Sequence, residues 1–330
     1  MAQFENNEIL PICVIIKIMA EQNVFDGIIG HKAQIAILKQ SIKRKNFAHA
    51  YLFCGSVHLG KTEVARRFIA GILGLPDFVS LDKHPDVKMV IGEKLIKIDQ
   101  IRELKHYFSL APYKANYKIA LIAEAEKMNR PAASALLKTL EEPSGQAILI
   151  LIAPSVRSIL PTLVSRCQVF NFHRTSIAEI REGLLERGAS EALARILAPK
   201  SQGLPGRALS CFKEPSLLSE EASFFRDFAR LPGENFKERF AFAEKLAKEE
   251  GGIETVISQW LNFYHDLILA KHGALDLISD LKAKSEIAAA SKNYTLPQVL
   301  IAIRILQGIG QNLKFNINKR LALETLLINI

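Results

Sequence analysis

The sequence predicts an α/β domain built on a parallel sheet and followed by a region of helices only, and three observations carry that reading. A glycine-lysine loop, Gly55-Ser-Val-His-Leu-Gly60-Lys61-Thr62, stands between the apolar run Tyr51 to Cys54 and the helical pattern Glu63 to Leu73. Up to residue 173, near-continuous apolar runs alternate with helical patterns, as expected of a parallel sheet covered on both faces. Beyond Glu214 strand alternation disappears and only helical periodicity remains.

A chain of 330 residues exceeds one ordinary core and suits two or three domains. The pattern divides it into an N-terminal extension (1–22), the α/β domain (23–173), a small helical lid (174–213) and an all-helical domain (214–330). The extension is apolar from Ile9 to Met19 but carries Pro11 and Lys17, and it is shorter than the ~20 residues of a membrane span. Glu5 and Glu8 do not fit the basic start of a signal peptide. Because the domain pattern begins only near Val24, translation is expected to start at Met19 rather than Met1.

Hydrophobic residues at 49% and charged residues at 23% give the balance of a globular protein rather than a disordered one. The net charge of +9 admits a polyanionic partner such as nucleic acid, and equally a solvated basic surface. Cys13, Cys54, Cys167 and Cys211 make no C-x-x-C pair, so neither zinc nor a disulfide framework is expected. A reducing, cytoplasmic setting fits best.

Taken in order, Ile35, Leu38 and Ile42 recur at helical spacing from His31 to Arg44, where Lys43, Arg44 and Lys45 suit the helix C-terminus. Gly74 and Pro76 break the loop helix, the segment to Lys83 reads as a simple loop, and Val87 to Ile91 reads as a strand. Asp99 offers an N-cap for a helix burying Ile101, Leu104 and Phe108. A strand from Lys118 to Ala123, a helix from Asn129 to Glu142, a strand from Ala147 to Ala153 and a short strand from Val169 to Phe172 complete the α/β domain. Two helical patterns lie between Ile177 and Leu197. Helices are then expected around Phe224 to Phe228, around Phe236 to Phe242, and over Ile253–Leu269, Val299–Leu313 and Leu321–Ile328, with the phenylalanine stripes as core.

The loop reads as a phosphate cradle in which Gly55 and Gly60 let the backbone approach an anion. Lys61 would reach the outer phosphates and the Thr62 hydroxyl would bind Mg²⁺, so ATP with Mg²⁺ is the expected ligand class; the plain alternative is a strand-to-helix glycine turn. Hydrolysis normally needs an acidic pair after a second strand, but Lys118 to Ile122 is followed by Ala123 and Glu124, so the carboxylate for Mg²⁺ is missing. Glu124 reads equally as a water-orienting acid and as a solvated loop residue. After the next strand come Ala153, Pro154 and Ser155, a weak replacement for a polar γ-phosphate sensor. Nucleotide holding is therefore expected to survive better than hydrolysis.

The run Asn129-Arg-Pro-Ala-Ala-Ser-Ala-Leu-Leu-Lys138-Thr-Leu-Glu-Glu142-Pro143, followed by Leu160-Pro-Thr-Leu-Val-Ser165-Arg166-Cys167-Gln168, resembles the clamp-loader branch of the AAA+ ATPases. Matching stretches continue at Ile98-Asp99-Gln-Ile-Arg102 and at Asn316-Ile-Asn318-Lys-Arg320. His84-Pro85-Asp86 and Met128-Asn129 are similar to the delta-prime family of bacterial DNA polymerase III rather than to the gamma or tau motor family. The resemblance implies a ring of gamma/tau and delta partners that loads a sliding clamp onto primed DNA, with Arg166 reaching in trans into a neighbour's ATP site. It implies a nucleotide-sensing role for Arg207 of the lid, which taken alone reads equally as a surface arginine, and a ring-forming collar after Pro215. The four-cysteine zinc module of many members has no counterpart between Gly55 and Arg166. The alternatives are an ATP-hydrolysing motor subunit and another AAA+ DNA-processing protein.

Overall fold

In the computed structural model the described residues are 24–75, 79–91, 95–141, 146–216, 231–248, 252–275, 278, 284–312 and 318–329. The N-terminal extension, the expected helix around Phe224 to Phe228, Glu142, Pro143 and Asn316 lie outside them.

The chain divides into two compact units, one comprising Met1–Ala194 with Ser201–Leu209 and the other Arg195–Lys200 with Ser210–Ile330. In the first, five strands form one sheet: β1 (Ala50–Cys54), β2 (Val87–Val90), β3 (Lys118–Ile122), β4 (Ala147–Ala153) and β5 (Gln168–Asn171). Their order is β2-β3-β4-β1-β5, with every pairing parallel. Helices α1 (Lys32–Arg44), α2 (Lys61–Leu73), α3 (Ile98–Ser109) and α4 (Arg130–Glu141) cover it, and a short helix α5 (Pro161–Val164) precedes β5.

Side chains two apart along a strand share a face, and that rule sorts the core. Tyr51 and Phe53 of β1 join Ile119, Leu121, Ile148 and Ile150 under Leu38 of α1 and Phe68 of α2. Leu52 and Cys54 join Ala120, Ile122, Leu149 and Leu151 under Leu104 of α3 and Leu136 of α4. Because both faces are covered, β1 and β3 are buried at every position, which is why their sequences read as near-continuous apolar runs.

Two local expectations change. The N-cap position of α3 is held by Lys97, so Asp99 sits inside the first turn, where it pairs with Arg102 at 3.0 Å. Val79–Lys83 forms a 3-10 helix rather than a simple loop. Helix α4 begins where Asn129 Oδ1 accepts the Ala132 N–H at 2.9 Å. This is the N-cap bond that stabilises a helix start.

Helix α6 (Ile177–Leu185) opens on a Ser176–Glu179 capping box; helices α7 (Glu191–Lys200) and α8 (Pro205–Lys213) follow. The second unit continues with α9 (Phe236–Lys248), α10 (Gly252–Lys271), α11 (Lys284–Ala290), α12 (Leu296–Asn312) and α13 (Lys319–Ile328). Its core holds Trp260, Phe263, Tyr264, Tyr294, Val299, Leu306, Leu323 and Leu327. The expected phenylalanine core of α9 is corrected at one position: Phe236 is 58% exposed, whereas Phe242 packs against the core beside buried Arg239, Ala243 and Leu246. Buried Arg239 is satisfied by bonds to the carbonyls of Glu234 at 3.0 Å and Leu327 at 2.9 Å. Among the described residues, no helix is long and apolar enough to cross a membrane.

Candidate nucleotide site

The loop Gly55–Thr62 runs from the C-terminal end of β1 into α2. Gly55 is required by space: a Cβ there would stand 2.5 Å from the Phe172 carbonyl and 2.8 Å from Leu59 Cδ1. Gly60, at φ 86°, precedes α2 in the left-handed region that side chains disfavour. Lys61 is buried, and its ammonium donates to the carbonyls of Ser56, at 2.7 Å, and Gly55. Burial lowers its pKa, opposed by the charge of Glu126. Thr62 is exposed at the start of α2.

A second contact holds the loop from below. His31, buried and at φ 60°, donates from Nε2 to the Leu59 carbonyl at 2.7 Å and meets Phe172 edge-on. Burial chiefly lowers its pKa, so the neutral ring makes this bond. Neither His31 nor its role was signalled by sequence, because a lone histidine before a helix carries no motif.

From the lid side, the Gly206 N–H donates to the His58 carbonyl at 2.7 Å. A Cβ on Gly206 would come within 2.8 Å of that oxygen, so α8 can start this close to the loop only with glycine. Arg207 follows, and its charge acts on His58. The loop and the Gly206-Arg207 pair, far apart in sequence, therefore meet.

At the end of β3 the two acids separate. Glu124, at φ 56°, is exposed and pairs with Lys127 at 2.9 Å. Glu126, two residues on, has its Oε2 buried without a hydrogen bond, and burial raises its pKa. Glu126 and Lys61 act on one another electrostatically, so Glu126 rather than Glu124 is the acid coupled to the loop lysine. It also lines an open cavity with Arg130, Arg157 and Ser158. Sequence reasoning missed it because the chain turns into a 3-10 helix at Ala125, which breaks the strand alternation on which that reading depends.

The remaining sequence candidates lie apart from the loop's bonding. Ser155 is exposed and leads into a 3-10 turn, its carbonyl accepting the Ser158 hydroxyl at 2.7 Å. Arg166 follows α5, with Nη2 2.9 Å from Glu141 Oε1 and Nη1 3.1 Å from the Thr162 carbonyl. Burial pushes the neighbouring Cys167 thiol up to about 12, so it stays protonated.

Phosphate fits this loop: a glycine-shaped cradle, a lysine within it and the N-terminus of α2 converge there. A metal fits less well, because Ala123 brings no carboxylate. Among the described residues, no group of three or more His, Cys, Asp or Glu side chains could hold a metal ion.

A parallel sheet of order β2-β3-β4-β1-β5, with this loop after β1 and a helical lid docked on it, defines an AAA+ phosphate-loop domain. Residues 30–176 match the family model described as "DNA polymerase III, delta subunit". The Bacillus subtilis DNA polymerase III subunit delta' is 31% identical over 175 residues, covering 49% of this chain and 53% of that protein. The tau subunit of the same organism is 23% identical over 347 residues, covering 93% of this chain and 61% of that one. The chain thus spans little more than half the length of these relatives. A crystal structure of a gamma-subunit-related protein from Thermotoga maritima shares the fold, with a TM-score of 0.52, 20% identity and coverage of 89% and 97%. Over residues 30–176 the chain is similar to delta-type subunits of DNA polymerase III.

Proposed function

We propose that this chain is a delta-prime-type clamp-loader subunit: a stator that helps hold a ring of gamma/tau and delta partners and donates Arg166 to a neighbour's ATP site. In this reading the ring loads a sliding clamp onto primed DNA in the cytoplasm. Residues 174–213 serve as the lid and 214–330 as the ring-forming collar. The observation that carries the proposal is the pairing of an intact loop with Ala123 at the end of β3: the chain retains what grips a triphosphate and lacks the acid that holds its metal. Gly55, Gly60, Lys61 and Thr62 would hold ATP, with Mg²⁺ on Thr62. Arg207 would sense the nucleotide from the lid, and Glu124 has no more than a minor part.

Arg166 suits transfer to a partner because its present bonds are weak. An exposed ion pair contributes about 0–1 kcal/mol, so leaving Glu141 is nearly free, whereas an arginine at a transferring phosphoryl group raises rates roughly 10³–10⁵-fold in other systems. The test is reconstitution with gamma- and delta-type partners. Arg166→Ala should fold and assemble yet slow ATP-dependent clamp loading, and unchanged kinetics would sink the assignment.

The second reading, a gamma/tau-type motor, is favoured by the intact loop and by the tau match along most of the chain. ATP turnover by the isolated chain, abolished by Lys61→Ala, would establish it.

A further inference from the structure

We propose that Glu141 is a positioning residue for Arg166: its carboxylate holds the guanidinium in one direction at the end of α4, set for the phosphoryl oxygens of a neighbouring subunit's nucleotide. The inference rests on the reading of Arg166 as a group donated to that neighbour, and it adds the residue that decides where the group stands.

The backbone around Arg166 is already fixed. The Ser165 N–H donates to the Pro161 carbonyl at 3.0 Å, the Arg166 N–H to that of Leu163 at 3.1 Å and the Cys167 N–H to that of Val164 at 3.1 Å. The next residue, Gln168, pairs with Tyr51 as β5 begins. What stays open is the direction of the long side chain, which is 36% exposed. Two contacts select it. Nη2 donates to Glu141 Oε1 at 2.9 Å and Nη1 to the Thr162 carbonyl at 3.1 Å, so both terminal nitrogens are gripped, one from α4 and one from α5. The Ser165 hydroxyl, 3.4 Å from Nη1, adds little. Among the described residues Glu141 is the one acid paired with Arg166.

Glu141 stands where local physics disfavours it. It is the last residue of α4, and the dipole of a helix opposes a carboxylate at that end. Its side chain is 51% exposed, so packing does not explain the acid either. What explains it is the cation it meets, 25 positions further along the chain. A guanidinium has five N–H donors, so these bonds leave part of the fork free and do not block an incoming phosphoryl group. A fork already set in place loses less freedom when it engages, which speeds the step rather than tightening nucleotide binding. An exposed pair of this kind carries a factor of about two to five, enough to measure and small enough to let the arginine go.

The experiment compares the natural chain with Glu141→Gln, which keeps an acceptor oxygen, Glu141→Ala, which removes it, and Arg166→Ala. In the full chain alone, nitrogen relaxation of the Arg166 Nε–H reads the order of the side chain. In the assembly reconstituted with gamma- and delta-type partners, clamp and primed DNA, ATP turnover gives kcat and KM. The expected result is a more mobile Arg166 in Glu141→Ala, with kcat about two- to fivefold lower at unchanged KM, and most of both properties retained in Glu141→Gln. Unchanged Arg166 mobility in Glu141→Ala, an equal fall of kcat in the alanine and glutamine variants, or an effect on KM alone overturns the role of Glu141. If Arg166→Ala still slows turnover in that case, the Arg166 reading stands. Natural turnover by Arg166→Ala overturns both.

Discussion

Asp86 is the most heavily bonded carboxylate of the α/β unit, and replacing it with asparagine is the perturbation with the clearest magnitude. Its side chain is fully buried and accepts the N–H groups of Tyr113 at 2.7 Å, Lys114 at 2.6 Å and Ala115 at 2.9 Å. Lys118 Nζ lies 3.3 Å away, also buried and 4.4 Å from the Tyr107 ring centre. Burial alone would raise the carboxyl pKa, but the three backbone donors and Lys118 outweigh it and hold the group at about 2, against an ordinary 3.8. That difference corresponds to about 2 kcal/mol of stability. Asp86→Asn also leaves Lys118 buried without its counter-charge, a class of change that costs roughly 3–5 kcal/mol. We therefore expect a loss of about 2–4 kcal/mol. Since the folded pKa is depressed, the contribution is complete above 3.8 and is lost as pH falls towards 2. The gap between natural and variant chains should be full at pH 7 and shrink below pH 4. Trp260, the single tryptophan, lies in the other unit, so its fluorescence is a poor probe. Hydrogen exchange at the amides of residues 113–115 reads the strap directly, and circular dichroism in urea reads the unit. Protection unchanged in the variant at pH 7, or a gap that persists undiminished at pH 3, would refute the reasoning.

Three further outcomes follow from the loop and its surroundings. Gly206→Ala forces a Cβ to within 2.8 Å of the His58 carbonyl oxygen and 3.1 Å of its Cα, both backbone; the start of α8 must shift and lose its bond to the loop, about 1 kcal/mol. Faster proteolysis or exchange at residues 201–209 should register it, and unaltered protection there contradicts the contact. Glu126→Gln removes the acid whose charge acts on Lys61, so ADP should bind about three- to tenfold tighter, matching roughly 1 kcal/mol of relieved repulsion; weaker binding in calorimetry would show that Glu126 assists the ligand instead. Glu141→Ala breaks an exposed pair and should alter stability by less than about 1 kcal/mol, measured by urea denaturation; a large loss would mean that Arg166 is bound to its own chain too firmly to serve another.

The fold was legible wherever burial dictated composition. Strands β1, β3 and β4 are covered on both faces, so their apolar runs announced them, and the loop between β1 and α2 was spelled out by Gly55, Gly60, Lys61 and Thr62. Asn129 marked the start of α4 because its side chain caps the helix. What stayed hidden depends on contacts between residues distant in sequence or on backbone turns. Nothing in a lone His31 indicates a bond to Leu59, and nothing in Gly206 indicates that the His58 carbonyl stands in the way of a Cβ. Glu124 drew attention because it follows an apolar strand, yet the left-handed turn at that residue leaves it exposed and paired with Lys127, while Glu126 is the acid whose charge acts on Lys61. Of the α9 phenylalanines, exposed Phe236 misled for a related reason, while Phe242 does pack against the core. A helix places three or four residues per two turns inward, and here the stripe of Arg239, Ala243 and Leu246 took that face, with Arg239 admitted because backbone carbonyls satisfy it.

These placements bear on how a domain can keep a nucleotide loop while lacking the acid for hydrolysis. Glu126 has one oxygen without a hydrogen bond, burial raises its pKa, and its charge acts on Lys61. On the lid side the charge of Arg207 acts on His58, as does that of Lys61. The lysine within the loop suits a polyphosphate, whereas no carboxylate follows β3 at Ala123 to fix a metal. The same anion would tie the lid to the loop, since the Gly206–His58 bond and the Arg207 charge both converge on the turn that cradles it. Nucleotide bound here would therefore act through rigidity, holding the start of α8 against the loop.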